Sequence, residues 1–324
     1  MWIVVAIIAY FLLALVVVID KYLLAGPLPN PKLYAFAIGF FGIGFLAFIP
    51  FAFFWIVSGL VSFVPIVPSE FPTIPPVHII FFAFLAGIIQ IFALLALFTA
   101  LKKFEASRII PAIGGFLPIF TIIFTIVVGE SVLDFGGVVA FLLLVGGSVL
   151  VSVERTKMVT FQSLVLAGGA ALLFSLYVVL SKFVYEGQPF FVWGLMWIVG
   201  GSFLGSLLLL VSKDLRNEIK NVLQKRGASK QTLSPKVISL FAGNQIIGAL
   251  GYVVQNYAVA LTPFAFIAFV NALEGIKYVF VLAMATFLSV VFPRVVQERL
   301  DAKSITQKLV AISLIGVGLV LLAL

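Results

Sequence analysis

Apolar runs of about twenty residues follow one another from the first residues of the chain to the last. A helix rises about 1.5 Å per residue and a bilayer core is about 30 Å thick, so each run is the length of one membrane crossing. Candidate spans lie at 2–19, 34–57, 78–101, 109–128, 135–153, 162–181, 190–211, 237–261, 264–291 and 307–324. Turn-forming stretches separate them: "GPLPNPK" (26–32), "VPIVPSEFPTIPP" (64–76), "GQP" (187–189) and "TP" (262–263). Hydrophobic residues make up 63% of the chain and charged residues only 10%, against roughly a quarter charged in soluble domains. Too little polar surface exists to keep such a chain in water, so the expected class is an all-α integral membrane protein of about ten transmembrane helices. The N-terminus "MWIVVAIIAY" lacks a basic leader and reads as the first span.

Composition also excludes chemistry. There are no cysteines, which removes disulfides, thiol catalysis and Cys-based metal sites. The one histidine, His78, sits beside Pro75-Pro76 at the edge of an apolar run and reads as an interfacial residue. The sequence pI of about 9.7 points, in a membrane protein, to orientation and anionic lipid rather than nucleic acid. Phosphate loops, metal clusters and nucleophile–base sets are not found, so no cofactor and no enzymatic activity are expected.

The spans fall into two groups of five that resemble each other. "VVVIDKYLLAGPLP" (16–29) ends the first span and "YVVLSKFVYEGQP" (177–189) ends the sixth. The segment 129–151 around the fifth span matches 297–322 around the tenth, with Val139-Ala140 against Val310-Ala311 and Gly147 against Gly318. Five is odd, so a second repeat must be inverted, and corresponding loops must lie on opposite sides with opposite Lys/Arg content. Of the twenty Lys and Arg, all but Lys182 and Lys277 fall in the odd-numbered loops. Seven lie in the 212–236 loop, while its counterpart, 58–77, has none. The expected organisation is two inverted repeats, 1–158 and 159–324, in the cell membrane, with both chain ends facing away from the cytoplasm.

Within the long loop, Leu215, Ile219, Val222 and Leu223 form an apolar stripe at helical spacing, with Asp214 placed to cap the start and Gly227 the end. Lys213, Arg216, Lys220, Lys225 and Arg226 surround the stripe. It reads either as a basic amphipathic helix on anionic lipid of the cytoplasmic leaflet or as a solvated linker that fixes topology.

Ten spans, the five-plus-five repeat, Gly129-Glu130 with Gly146-Gly147, and Glu298-Arg299-Leu300 with Gly316 and Gly318 resemble EamA-type transporters of the drug/metabolite transporter superfamily. The stretch "FTALKKFEASRIIPAIGGFLPIFTIIFTIVVGE" (98–130) is similar to that family's third-to-fourth span junction. The resemblance covers nearly the whole chain. It implies a secondary transporter whose central cavity lies between the halves and is lined by every span except five and ten. Two departures stand out: the charge asymmetry puts the termini outside where the family has them inside, and 292–308 is longer and more charged than the family's turn.

Transporters built from inverted repeats bind substrate near the midplane, between the repeats. From Pro263 to Phe292 the only charged residues are Glu274 and Lys277. A charge in the bilayer costs about 2.5–3.5 kcal/mol on insertion scales, so it seldom faces lipid. The pair is spaced to meet along one helix face, and Asn271 extends the polar strip. Glu274 is then a proton or cation coupling site with Lys277 as its partner or a substrate anchor; alternatively the pair locks helix nine against a neighbour. On span eight, Gln245, Tyr252 and Asn256 share a face, with Asn244 and Gln255 on the adjoining stripe. Amides at that spacing suggest a wetted wall, or glue between helices. Gln90 and Thr99 in span three and Tyr177 in span six are the thinner polar content elsewhere. Trp193 and Trp197 read as belt or packing residues.

The leading expectation is a secondary transporter for a small polar or amphipathic metabolite working by alternating access. A flippase for lipid or lipid-linked sugar is the transport-class alternative, and a non-transporting scaffold or receptor is the alternative of another class. A homodimer is compatible with the sequence.

Overall fold

The computed structural model describes residues 1–25, 30–42, 75–104, 106–129, 135–152, 161–188, 190–224, 235–277, 279–281, 284 and 302–323. The described residues are helical, with only short turns between helices. In chain order the helices are α1 (Trp2–Ala25), α2 (31–42), α3 (Val77–Lys103), α4 (Ala106–Val128), α5 (Phe135–Ser152) and α6 (Phe161–Glu186). They continue with α7 (Phe191–Leu209), α8 (Lys213–Gln224), α9 (Pro235–Leu261), α10 (Ile267–Ala272), α11 from Glu274 (274–277, 279–281 and 284 described) and α12 (Ala302–Ala323). Five stretches among these residues are long and apolar enough to cross a membrane: Trp2–Asp20, Val77–Lys103, Phe161–Glu186, Phe191–Leu209 and Phe264–Val281. Their length and apolar composition are those of membrane-embedded helices. Most of the second span, the 58–74 loop, Glu130, Gly227, the 292–301 segment with Glu298, and the far end of span nine lie outside the described residues.

The helices pack in a definite pattern: α3 against α6 and α7, α1 against α9, α4 against α6, α10 against α4, and α5 against α12. At one end of the molecule Leu23 of α1, Phe98 of α3 and Leu209 of α7 pack with Tyr34 of α2, Leu215 of α8 and Phe241 of α9. At the other end Trp2, Ile79 and Phe191, from the starts of α1, α3 and α7, pack with Tyr185 and Val259 from the ends of α6 and α9. So α1, α3 and α7 run one way, and α6 and α9 the other. At the first end Lys32 bridges to Asp214 at 3.1 Å and donates to Ser212 Oγ at 2.9 Å.

Two helix contacts depend on glycine because backbones touch. A Cβ on Gly87 would lie 2.0 Å from the Ile198 carbonyl oxygen, and one on Gly201 would lie 2.5 Å from that of Phe84, so α3 and α7 meet main chain to main chain. The α5–α12 seam is reciprocal. Gly147 abuts Ala311 and Ile315, and Gly318 abuts Ala140 and Leu144; each contact becomes the other when the matched positions of spans five and ten are exchanged.

Three expectations change. The sixth helix runs on to Glu186, so Lys182 belongs to no loop: it is buried within α6. Asp214 does not precede its helix but sits in the first turn, paired with Lys32. Finally, the first half of α8's apolar stripe meets protein, while the side chains of Val222 and Leu223 lie outside the described ones. Leu215 is fully buried and Ile219 packs beside it against the bundle ends, leaving Lys213, Arg216 and Lys220 exposed. Helix ends hidden under the loop offer an apolar seat that no sequence period reveals.

Candidate functional site

Polar side chains inside the bundle collect into three groups. The first surrounds the interruption between α10 and α11. After Pro263, a 3-10 turn (Phe264–Phe266) leads into the short α10. The helix breaks at Leu273 and resumes at Glu274. Glu274 and Lys277 form an ion pair one turn into the new segment, each side chain 13% exposed. Lys277 has a further interaction as well. Close by, the Tyr10 hydroxyl donates to the Val270 carbonyl at 2.6 Å, within electrostatic reach of Glu274. Asn271 turns elsewhere: its Nδ2 donates to Thr121 Oγ1 on α4 at 2.7 Å, and Thr121 donates onward to the Leu117 carbonyl at 2.8 Å. The expected polar strip is therefore split, with the ion pair on one side and Asn271 stitching α10 to α4.

The second group joins α3, α6, α7 and α9. Asn256 Oδ1 accepts from the hydroxyls of Tyr177 and Tyr185, each at 2.8 Å, and its Nδ2 donates to the Tyr252 carbonyl at 2.9 Å. Gln90 Oε1 accepts from Ser202 at 2.8 Å and from the Tyr252 hydroxyl at 3.1 Å. Every hydrogen bond here is neutral, so desolvation costs are met locally without any charge. Lys182 lies at the outer edge, donating to the Ala260 carbonyl at 3.2 Å and pairing with Glu186 at 3.2 Å.

The third group sits near the opposite end of α9. Asp20 Oδ1 accepts from the Tyr34 hydroxyl and, at 2.6 Å, from Asn244 Nδ2. The Tyr34 ring is wedged between Phe98 and Phe241. Asn244 is 1% exposed, and its Oδ1 has no hydrogen-bond partner among the described residues.

Span eight thus serves three separate environments. Tyr252 and Asn256 meet as their spacing predicts, Gln255 lies half-buried on the side of Tyr10, and Asn244 turns to Asp20. Gln245 is half-buried and joins none of these groups among the described residues. Sequence reasoning passed over Asp20, Tyr34, Tyr10, Tyr185 and Ser202. For Asp20 a signal existed: a carboxylate one residue beyond a minimal span falls inside the helix as soon as that helix runs a turn longer. For the tyrosines and serine there was none, because each becomes polar machinery only through a partner on another helix.

The architecture recurs in solved proteins. Fifteen chains of solved structures match it. One crystal structure, 15% identical in sequence, superimposes over 98% of this chain and 93% of its own, with a TM-score of 0.58. At that identity the likeness shows a common fold and nothing further. No protein-family model and no curated protein matches the chain.

Proposed function

We propose that this protein is a secondary transporter, moving a small polar or amphipathic metabolite by alternating access between two inverted five-helix repeats, 1–158 and 159–324. The Glu274–Lys277 ion pair carries this reading. It sits at the restart of an interrupted helix, next to Tyr10 of α1. Broken helices that line substrate and ion sites are a recurring device of such transporters. A buried charge pair is also a costly way to hold helices together, since apolar side chains of similar volume do so as well or better.

The packing pattern supports the repeat. Exchanging the first five spans with the last five turns the α3–α6 contact into α9–α1, and α5–α12 into itself. It turns α3–α7 into the Tyr34–Phe241 contact of α2 with α9, and α4–α6 into the Tyr10–Val270 contact of α1 with α10. The α5–α12 glycine seam reciprocates in the same sense. These relations add to the resemblance to EamA-type transporters. In this reading Glu274 is the coupling group and Lys277 its partner, while Tyr252, Gln255 and Asn256 line the path. The odd-numbered loops are cytoplasmic, and both termini face outward.

The test is the double change Glu274→Gln with Lys277→Met, compared with each single one. Lys277→Met takes from the Glu274 carboxylate its ion-pair partner, a loss of about 3–5 kcal/mol for a buried pair, and the double change removes that cost. Proteoliposome flux, for a substrate chosen by thermal-shift screening of metabolite pools, should stay lost in the double variant while thermal stability returns. Normal flux with unchanged pH dependence in the double variant would reject the assignment and leave the pair as a structural clasp.

A further inference from the structure

The coupling role given to Glu274 leaves a second intramembrane carboxylate, Asp20, without a purpose. Asp20 is half-buried at the odd-loop end of α1. Both donors that hold it, the Tyr34 hydroxyl and Asn244 Nδ2, converge on the same oxygen, Oδ1. The described lysines on the neighbouring helices α2 and α3 are bound elsewhere or exposed. Lys32, half a turn before Tyr34 on α2, is bound to Asp214 and Ser212 of α8. Lys102 and Lys103 end α3 in exposed positions. From α9 the neutral Asn244 meets the carboxylate; the side chains of Lys236 on α9 and of Lys21, the next residue along α1, lie outside the described ones. The residue matched to Asp20 in the second repeat is Ser181, so the carboxylate belongs to one end of the molecule alone.

The second observation concerns Asn244. One end of its amide serves the carboxylate, while Oδ1, buried beside it, is without a partner among the described residues. A buried acceptor left unmade is unfavourable and calls for a donor. A protonated carboxyl is such a donor. After a half-turn of the amide, Asn244 Oδ1 would accept the new O–H and Nδ2 would leave Asp20 Oδ1, so that the Tyr34 hydroxyl alone stays, on an oxygen that has lost the negative charge that attracts it.

The geometry points to Asp20, with Tyr34 and Asn244, as a proton-binding site of the odd-loop end, whose occupation loosens the clasp joining α1, α2 and α9. The step is balanced: one proton from water passes to the carboxylate, and no other bond forms or breaks. The inference rests on the transporter reading for its consequence, a coupling proton taken up at this face, but not for the proton itself.

The test uses the full-length protein, purified, and pH-difference infrared spectroscopy between about pH 4 and about pH 9, with and without carbon-13 aspartate. The expected result is a protonated-carboxyl C=O band that moves on aspartate labelling, not on glutamate labelling, and loses one component in Asp20→Asn, the remainder belonging to Asp134, Asp214 and Asp301. Absence of an aspartate-sensitive band, or a band unchanged in Asp20→Asn, overturns the proposal whether or not the protein transports anything. If Asp20→Asn does not fold, Tyr34→Phe replaces it; the band should change frequency because that carboxyl has lost a partner, and an unmoved band overturns the assignment. The clasp is read separately. The chain has no cysteine, so Leu33→Cys introduces a single thiol beside Tyr34. Its labelling rate should rise severalfold when Asp20→Asn is added at the same pH, and an unchanged rate overturns the link between protonation and opening.

Discussion

Asn244 and Asn256 stand about three turns apart on α9, and the two ends of the molecule treat them in opposite ways. Asn256 uses both halves of its amide, taking two tyrosine hydroxyls and giving its N–H to a backbone carbonyl. Asn244 gives its N–H to a carboxylate and leaves its oxygen unused. Residue type and helix are shared, so the difference lies wholly in what the neighbouring helices bring. α6 brings neutral hydroxyls and closes the network, whereas α1 brings a charge and leaves it open. A closed neutral network stiffens the end it occupies, because any rearrangement breaks bonds that have no replacement. An open charged one is the place where a proton changes the arrangement at little cost.

That contrast breaks most readily at Asn256. Asn256→Leu leaves the Tyr185 hydroxyl unpaired and weakens the bonding of Tyr177, and an unmade buried bond costs about 1–3 kcal/mol. Stability in detergent should fall by about 2–4 kcal/mol, read by thermal unfolding; a loss below about 1 kcal/mol would show that the network is loose and the contrast mistaken. The matching change at the other end, Asn244→Leu, removes a bond to a charged group but also removes the unsatisfied oxygen. The two effects nearly cancel, leaving a net loss of about 1 kcal/mol or less. Should Asn244→Leu prove as damaging as Asn256→Leu, the Asn244 oxygen is satisfied in the membrane and the open end is not open.

The smallest effect belongs to the surface bridge beside the Asp20 group. Lys32 and Asp214 have side chains 40% and 84% exposed, and exposed pairs contribute about 0–1 kcal/mol. Lys32→Gln should lower stability by no more than that, and the difference from the unaltered protein should fade as salt is raised. A large, salt-independent loss would mean that α8 is pinned through this bridge and not through the buried Leu215.

Much of this was legible in the sequence, and the reasons are local. An apolar run of a given length becomes a helix of that length when backbone groups have nowhere else to bond, and the described residues of the expected ranges are helical. Spacing of three residues is enough to bring Glu274 to Lys277, and the pair forms. Tyr252 and Asn256, one turn apart, share a group as their period requires. Boundaries were less legible. α6 outruns its minimal span and draws Lys182 inside, because packing against α9 supplies the carbonyl of Ala260 that its ammonium needs. α8 follows the same logic: its stripe could be read, but not whether lipid or protein covers it.

What the sequence determined by itself was therefore everything that depends on one helix at a time: apolar length, charge distribution between loops, and neighbours along a face. The tertiary structure alone decided which polar groups meet. Asn271 left the strip of Glu274 for Thr121, Asn244 found Asp20 and Tyr34, and Gln90 came between Ser202 and Tyr252. A hydrogen bond reaches only about 3 Å, and each of these partners sits on a different helix. Their meeting is set by the approach of whole helices, down to the glycines that let α3 and α7 touch, and no period within a single helix encodes it.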